Sequence, residues 1–322
     1  MNLLVTGGAG FIGSHFVLGH VAKHPGDTVV ALDKMTYAAD RSYLESVENA
    51  ITFVEGDIIN VELVAKLILE HDIDTIVNFA AESHVDNSIG NPFPFLHANV
   101  VGVQALIEVC RSKKNLKLLH ISTDEVYGDV GDADPLCTVD SPVRPSSPYA
   151  ATKAAGEMLV MAGARTYGIP ACITRCTNNF GPHQAAEKFM PTIIRRALAD
   201  QPIPVYGKGK NKRDWLYVTD HCDALEKVLA TPSLFESGIA HVINISAEDE
   251  RENIEVAKMI LKKLGKPESL ITFVTDRPGH DWRYAVDSEP LRKLGWKARV
   301  PFEVGLDRTI AWFRERSQAF DA

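Results

Sequence analysis

Apolar positions in the first half of the chain fall into short unbroken runs, each followed by a stretch of helical spacing. The segments NLLVTG, DTVVALD, ITFVEGDI, IDTIVNFAA, LKLLHIST and IPACITRC read as six strands. Residues 11–24, 61–70, 99–111 and 150–167 carry the three-to-four-residue periodicity of helices between them. A strand that is apolar on both of its faces must be covered on both. Such strands alternating with helices predict an α/β fold built on a doubly wound parallel sheet.

After about Thr177 this rhythm breaks. Loops rich in Pro, Gly and charge (NNFGPHQAAEKFMP, YGKGKNKRDW, TDRPGHDWRY) separate shorter elements. The expected division is a sheet domain over residues 1–178 and a smaller α/β domain over 179–322, with a segment near 205–232 returning to the first. In that segment, DWLYVTDHCDALEKVLA has the pattern of a strand leading into a helix. A chain of 322 residues is long enough for two such units.

Composition narrows the partners. The formal net charge is −8 and no basic block occurs, which argues against nucleic acid while leaving room for a small anionic ligand held by local arginines. The five cysteines are odd in number and form no CxxC pair, so reduced, buried thiols are expected rather than a disulfide framework or a zinc site. The chain opens on MNLLVTGG without a signal-peptide pattern, and its apolar runs look too short to span a bilayer. A reducing cytoplasm and no membrane partner are the expectation.

Candidate chemistry begins at VTGGAGFIGSH, where Gly7, Gly10 and Gly13 lie between the first strand and its helix. Glycines there permit a tight turn and a close backbone approach to a pyrophosphate at the positive helix N-terminus. A bare glycine turn would serve as a connection alone. Here it follows a strand, opens a helix, and is followed by Asp33 at the end of the second strand. That makes the sheet Rossmann-type, and a carboxylate at Asp33 suits the two ribose hydroxyls of NAD and repels the 2′-phosphate of NADP. Lys34 is its discordant neighbour. Asp57 in EGDI stands either beside the adenine or as a cap for the helix after it.

Further on, SPYAATKAAGE places Tyr149 and Lys153 four residues apart, on one helix face. A free tyrosine is a poor base near neutrality. A nearby ammonium and a positive nicotinamide could lower its pKa by about 3 units, worth roughly 4 kcal/mol.

With these motifs the chain resembles the extended short-chain dehydrogenase/reductase family over essentially its whole length. AAESHVD, STDEVYG, SPYAATKA, TNNFGP, EKFMP, RDWLYVTDH and DRPGHDWRYAVD are similar to the nucleotide-sugar 4,6-dehydratases within it. The resemblance implies an NAD-dependent lyase acting on a nucleoside-diphosphate glucose, with dTDP-glucose the leading candidate, and a homodimer formed through helices near 99–113 and 150–167. Tyr149 would take the proton of the sugar 4-hydroxyl, held also by Thr123, as hydride leaves C4. Glu125 would remove the C5 hydrogen and Asp124 would protonate the departing C6 hydroxyl. Crowding of two carboxylates is expected to keep Asp124 neutral and Glu125 ionised, provided the backbone turns so that both face the sugar.

By the same resemblance the cofactor would also touch Phe11, Ile12, Ile58, Ala80, Ala81 and Asn179. Arg213, Arg277 and His280 would bind the pyrophosphate, where the guanidinium fork matches two oxygens at once. Ser83, Asn178, Lys188, Phe189 and Asn253 would contact sugar or nucleotide, with Pro204 to Tyr206 flanking the base. Departures at Asn87, Ala98, Ala185, Ala186, Phe189 and Trp282 leave the base (dTDP against UDP) and the exact hexose open. A 4-epimerase or decarboxylase of the same fold would not need the Asp124–Glu125 pair. A silent NAD-binding sensor would need neither that pair nor Tyr149 and Lys153.

Overall fold

The computed structural model describes residues 1–320. In chain order its strands are β1 (Asn2–Thr6), β2 (Thr28–Asp33), β3 (Thr52–Glu55), β4 (Thr75–Asn78), β5 (Lys117–Thr123), β6 (Ala171–Cys176), β7 (Asn178–Phe180), β8 (Ile203–Tyr206), β9 (Lys212–Tyr217), β10 (Ala240–Ile245), β11 (Glu250–Glu252) and β12 (Ile271–Val274). Seven of them form one wholly parallel sheet in the order β10-β6-β5-β4-β1-β2-β3. Chain direction across the sheet reverses between β1 and β4, and a doubly wound sheet binds ligands in the crevice that opens there, beyond the strand C-termini.

Both faces of this sheet are covered, as the unbroken apolar strands require. Phe16, Val17, Leu225 and Val228, from helices Phe11–Lys23 and Val218–Leu229, pack on one face. Leu67, Ile68, Leu106, Ile107 and Val160, from helices Val61–Glu70, Gly102–Ser112 and Pro148–Tyr167, pack on the other. A separate core gathers Met190, Ile194, Val205, Trp215, Ile260 and Leu306 around two small sheets, β11-β9-β7 and β12-β8.

The return to the large sheet differs from the sequence expectation. The strand of the 205–232 segment, β9, joins β7 and β11 in a small sheet, and only its helix, Val218–Leu229, packs against Phe11–Lys23. The strand that rejoins the large sheet is β10, beside β6. Leu291 and Trp296 also belong to the large-sheet core, so the chain crosses between the two cores several times. Periodicity marks a strand without marking which edge it will pair with, and this is why β9 was misplaced.

A second difference concerns the bilayer. Helical structure runs over 20 residues from Phe93 to Ser112, and an 18-residue window within it has a mean hydropathy of 1.4, enough in length and composition to cross a membrane. Half of that stretch is buried inside the fold. Its buried members Val103, Leu106, Ile107, Val109 and Cys110 join the sheet core beside the helices Val61–Glu70 and Pro148–Tyr167.

That last helix is specified locally. The Ser147 hydroxyl accepts from the Ala150 N–H at 3.1 Å, Pro148 takes the first turn, and Gly168 closes the helix in the left-handed conformation. Its small face serves contacts within the chain. A Cβ on Gly156 would stand 2.6 Å from the Asn99 carbonyl oxygen, so glycine lets the π-helical turn His97–Val101 approach. The close approach held Asn99 where its side chain bonds both the N–H and the C=O of Glu82 at 3.0 Å, fixing the 80–83 segment.

One charged network lies inside the fold. Arg175 on β6 is 2% exposed and bonds the carboxylate of Glu157, itself fully buried, at 2.6, 3.0 and 3.2 Å. Its remaining fork donates to the Tyr127 hydroxyl at 2.8 Å, and Tyr127 donates to Asn244 on β10 at 2.8 Å. Removing one partner of such a pair leaves a buried charge uncompensated. We expect Glu157→Gln to cost about 3–5 kcal/mol of unfolding free energy, measured by urea denaturation, with a smaller loss in the double variant Glu157→Leu/Arg175→Met.

Candidate active site

A cavity of ≈ 640 Å³ opens beyond the C-termini of β1, β2, β4, β5 and β6. The glycine turn forms one end. Gly7 has φ +68°, and a Cβ there would stand 2.7 Å from the Ala80 nitrogen; one on Gly13 would be driven into the Gly7 carbonyl oxygen. The turn is therefore a cradle that side chains would fill. Gly10, Phe11 and Ile12 line it with them, followed along the wall by Asp33, Lys34, Asp57, Ile58, Ala80 and Ala81.

Asp33 accepts from the N–H groups of Ala9 at 3.0 Å and Met35 at 2.9 Å, which orients the carboxylate at the end of β2; burial raises its pKa, opposed by those two bonds. Lys34 pairs with Asp57 at 2.8 Å, so its charge is answered from within the chain. The capping alternative for Asp57 does not hold, since Asn60 caps the helix Val61–Glu70, accepting from Leu63 at 3.0 Å. The cradle, the Asp33 carboxylate and the neutralised Lys34 fit a dinucleotide without a 2′-phosphate.

At the other end the strand of the STDE motif stops and the chain turns. β5 ends at Thr123, and a 3₁₀ turn over Asp124–Tyr127 follows at once, with the Thr123 hydroxyl accepting from the Glu125 N–H at 3.3 Å. Extended backbone would send neighbouring side chains to opposite faces; the turn brings Thr123, Asp124 and Glu125 all onto the cavity wall. Tyr149 and Lys153 reach it from the helix opposite, and Cys176, Asn178, Asn179, Ser83 and Lys188 complete that side.

The two carboxylates have unequal surroundings. Asp124 is 3% exposed, its Oδ2 has no hydrogen-bond partner, and Thr123 reaches Oδ1 at 3.2 Å. Burial, then the negative charge of Glu125, holds its pKa well above the ordinary carboxylate range. Glu125 is also raised by burial, but the positive charges of Arg277, Arg213 and Lys188 oppose this. The order of causes corrects the sequence argument: desolvation, more than crowding, raises the Asp124 pKa. Only tertiary packing removes water, so adjacency in sequence could not reveal it.

The tyrosine differs from expectation. Burial and the charges of Glu125, Cys176 and Asp124 push the Tyr149 phenol well above its usual pKa, against a hydrogen bond from Thr123. Lys153, lowered to about 8 by burial, donates to the Ile121 carbonyl at 2.7 Å. The protein's own groups thus keep the phenol neutral, and the charge that would ionise it must arrive with a ligand.

The remaining nominated residues lie off this cavity wall. Arg213 is held by the carbonyls of Lys212, Asp281 and Trp282 at 2.7–3.2 Å, under the ring of Tyr284. Arg277 bonds Asp86 at 3.0 Å while its buried Nε has no partner. Tyr206 bonds the same carboxylate at 2.9 Å, and His280 bonds Asp276 at 2.6 Å. Both arginines lie close enough to Glu125 to act on its charge. Phe189 stacks on Trp215, Pro204 is in register with Thr272 between β8 and β12, and the Asn253 N–H bonds the Asn211 carbonyl at 3.0 Å.

Several wall residues were not nominated. Phe93, Pro94 and His97 line the cavity from the NPFPF stretch, and Gln184 and Cys176 line it from the other side. Glu157 was also missed. It follows Lys153 by four residues just as Lys153 follows Tyr149, so the spacing carried the signal; its charge helps to keep Lys153 protonated.

The chain is similar to proteins of one family over nearly its whole length. The family described as GDP-mannose 4,6 dehydratase matches residues 4–309. A dTDP-glucose 4,6-dehydratase of Xanthomonas campestris pv. campestris is 46% identical, over 96% of this chain and 92% of the relative. That of Mycobacterium tuberculosis is also 46% identical, over 98% of this chain and 94% of the relative. The crystal structure of DesIV, a dTDP-glucose 4,6-dehydratase from Streptomyces venezuelae with NAD bound, superposes with a TM-score of 0.93 at 41% identity, covering 99% of this chain and 98% of that one.

The chain belongs to the dTDP-glucose 4,6-dehydratase family. In this dehydratase the neutral state of Asp124 has a consequence for stability. A carboxyl whose pKa is raised by folding favours the native state below its unfolded value and loses that contribution as pH rises through the folded value. Burial raises the Asp124 pKa on folding, so its carboxyl opposes the native state increasingly as pH rises above the unfolded value. Asp124→Asn is neutral in both states, so we expect it to stabilise the dehydratase at pH 7 relative to the parent. The gain should shrink as pH falls toward 4, followed by thermal unfolding across pH.

Proposed function

We propose that the chain converts dTDP-glucose to its 4-keto-6-deoxy product, with NAD held between the glycine cradle and Lys153. The carrying observation is the pairing of a buried Asp124, its Oδ2 without a partner and its pKa raised by desolvation, with a Glu125 in the field of three cations, both on the wall that Tyr149 and Lys153 reach. An elimination needs one acid and one base on neighbouring carbons, and this arrangement supplies them.

NAD, when bound, supplies the two-electron acceptor that takes hydride from sugar C4 and later returns it to C6. Phe11, Ile12, Asp33, Asp57, Ile58, Ala80, Ala81 and Asn179 would hold it, and its positive ring adds to Lys153 in ionising Tyr149. Tyr149 then accepts the 4-hydroxyl proton while Thr123 orients that hydroxyl. Glu125 takes the proton from C5, made acidic by the adjacent ketone, and Asp124 gives its proton to the C6 oxygen, which leaves as water. Glu125 afterwards returns a proton to C5. Arg213, Arg277 and His280 would bind the pyrophosphate, Arg277 exchanging Asp86 for phosphate oxygens. Ser83, Asn178, Lys188, Phe189, Asn253 and the Pro204–Tyr206 strand would border the sugar and base. A 4-epimerase, such as the UDP-glucuronic acid 4-epimerase of Bacillus cereus that superposes at 29% identity, has no hydroxyl to expel; a buried neutral acid beside a base supports the dehydratase.

We also propose that the protein is cytoplasmic and homodimeric. The exposed apolar side chains of Leu96, Val101, Met158 and Tyr167, on the two packed helices Phe93–Ser112 and Pro148–Tyr167, support a second copy as their cover. Light scattering giving twice the chain mass is the expected result.

Turnover on a panel of dTDP-, UDP-, CDP- and GDP-hexoses tests substrate and reaction together, with the 4-keto product followed by its absorbance in alkali. We expect dTDP-glucose to be preferred; release of an epimer without loss of water would reject the dehydratase. Tyr149→Phe should lower kcat by at least about a hundredfold with C4 oxidation abolished. Glu125→Gln should still oxidise C4 yet fail to exchange the C5 hydrogen with solvent deuterium, and rapid exchange would remove Glu125 as the base.

A further inference from the structure

The helix that starts at the glycine cradle ends in a second cluster of titratable groups. His20 lies in its last turn and His24 caps it, the His24 N–H bonding the His20 carbonyl at 2.8 Å. Glu226, on the packed helix Val218–Leu229, meets both rings: Oε1 lies 2.9 Å from His20 Nδ1 and Oε2 lies 3.5 Å from His24 Nε2. One ligand atom from each of the three residues falls within 4.8 Å of the others. At 1.5 Å per residue, His20 is roughly 15 Å along the helix from the cradle, so the cluster takes no part in the chemistry already described.

The geometry points to a divalent transition-metal site, of the zinc class, formed by His20, His24 and Glu226. Two imidazoles at i and i+4 present nitrogens to one side of a helix, and a carboxylate from a neighbouring element completes a facial set of three with an outer position open to solvent. The observed separations of 2.9 and 3.5 Å bracket the spacing of about 3.3 Å between ligands that each stand about 2.0–2.1 Å from a tetrahedral zinc. Metal could thus replace the protons now shared with Glu226 with small side-chain adjustments.

A second observation supports the set. His20 is fully buried, and its other nitrogen, Nε2, faces the Asp27 carboxylate at 3.2 Å. Asp27 is fixed in turn by the N-terminal ammonium at 2.8 Å. A carboxylate behind a ligating histidine fixes its tautomer and orientation and raises its basicity. Here that support makes Nδ1 the ligating nitrogen, in place of the hydrogen bond it now shares with Glu226 Oε1 at 2.9 Å. His24 is 42% exposed on its side chain, which gives an ion a path in. The cysteine spacing that argued against zinc has no bearing on a site built from histidine and carboxylate.

Full-length protein dialysed against chelator and titrated with Zn²⁺ by calorimetry tests the site. The expected result is one ion per chain, with affinity reduced by about tenfold or more in His24→Ala and in Glu226→Gln. Zinc about a hundredfold above Kd should raise Tm by about 5 °C in the parent protein, while Mg²⁺ should leave it unmoved. His24→Ala should keep the parent's metal-free Tm and turnover, which separates lost binding from lost folding. Absence of saturable zinc binding, or equal affinity in His24→Ala, would overturn the site and leave the cluster an ion-paired helix junction.

Discussion

A guanidinium on the central sheet cannot remain inside the fold unless its charge is answered, and much of the catalytic architecture follows from that demand. Arg175 is answered by Glu157 and Tyr127. Glu157 belongs to the helix that carries Tyr149 and Lys153, and Tyr127 ends the turn that carries Asp124 and Glu125. Through Asn244 the same network reaches β10. One buried charge thus ties the helix of Tyr149 and Lys153 and the turn of Asp124 and Glu125 to the same two strands. A buried ion pair adds little net stability over an apolar substitute, but it is intolerant of displacement. Positional specificity is what this site requires.

The division of labour between two adjacent carboxylates has a similarly simple origin. The end of β5 and the 3₁₀ turn after it deliver both to one cavity, but to different dielectric surroundings. Asp124 loses water without gaining a partner for Oδ2, which favours its protonated form. Glu125 loses water but gains the field of Arg277, Arg213 and Lys188, which favours its anion. Those cations come from segments more than sixty residues further along the chain, so the second core is part of the electrostatics as well as a cover.

Tyr149 shows the opposite arrangement. Its phenol is held neutral by burial and by the same two carboxylates, and Lys153 is occupied with a backbone carbonyl. In the proposed reaction, ionisation of this phenol would therefore wait on the arrival of a positive ligand ring, so that a reactive phenolate would not exist without its oxidant. The cavity at the reversal of strand order is where that ring would come, since the glycine cradle and Asp33 would hold the other end of a dinucleotide there.

Much of this was legible in the residues alone. Unbroken apolar runs demanded a parallel sheet covered on both faces, because no other arrangement removes both faces of a strand from water. The glycine spacing marked the cradle, since a Cβ at Gly7 or Gly13 would meet backbone, and a four-residue spacing put Tyr149 and Lys153 on one helix face. These are local constraints, and local constraints are written in order along the chain. What only the tertiary structure decided is of another kind: that β10 and not β9 completes the large sheet, that half of the apolar stretch Phe93–Ser112 is buried in the fold, and that desolvation outweighs crowding at Asp124. Edge pairing, burial and local dielectric are set by which distant segments exclude water together, and no stretch of sequence carries that information by itself.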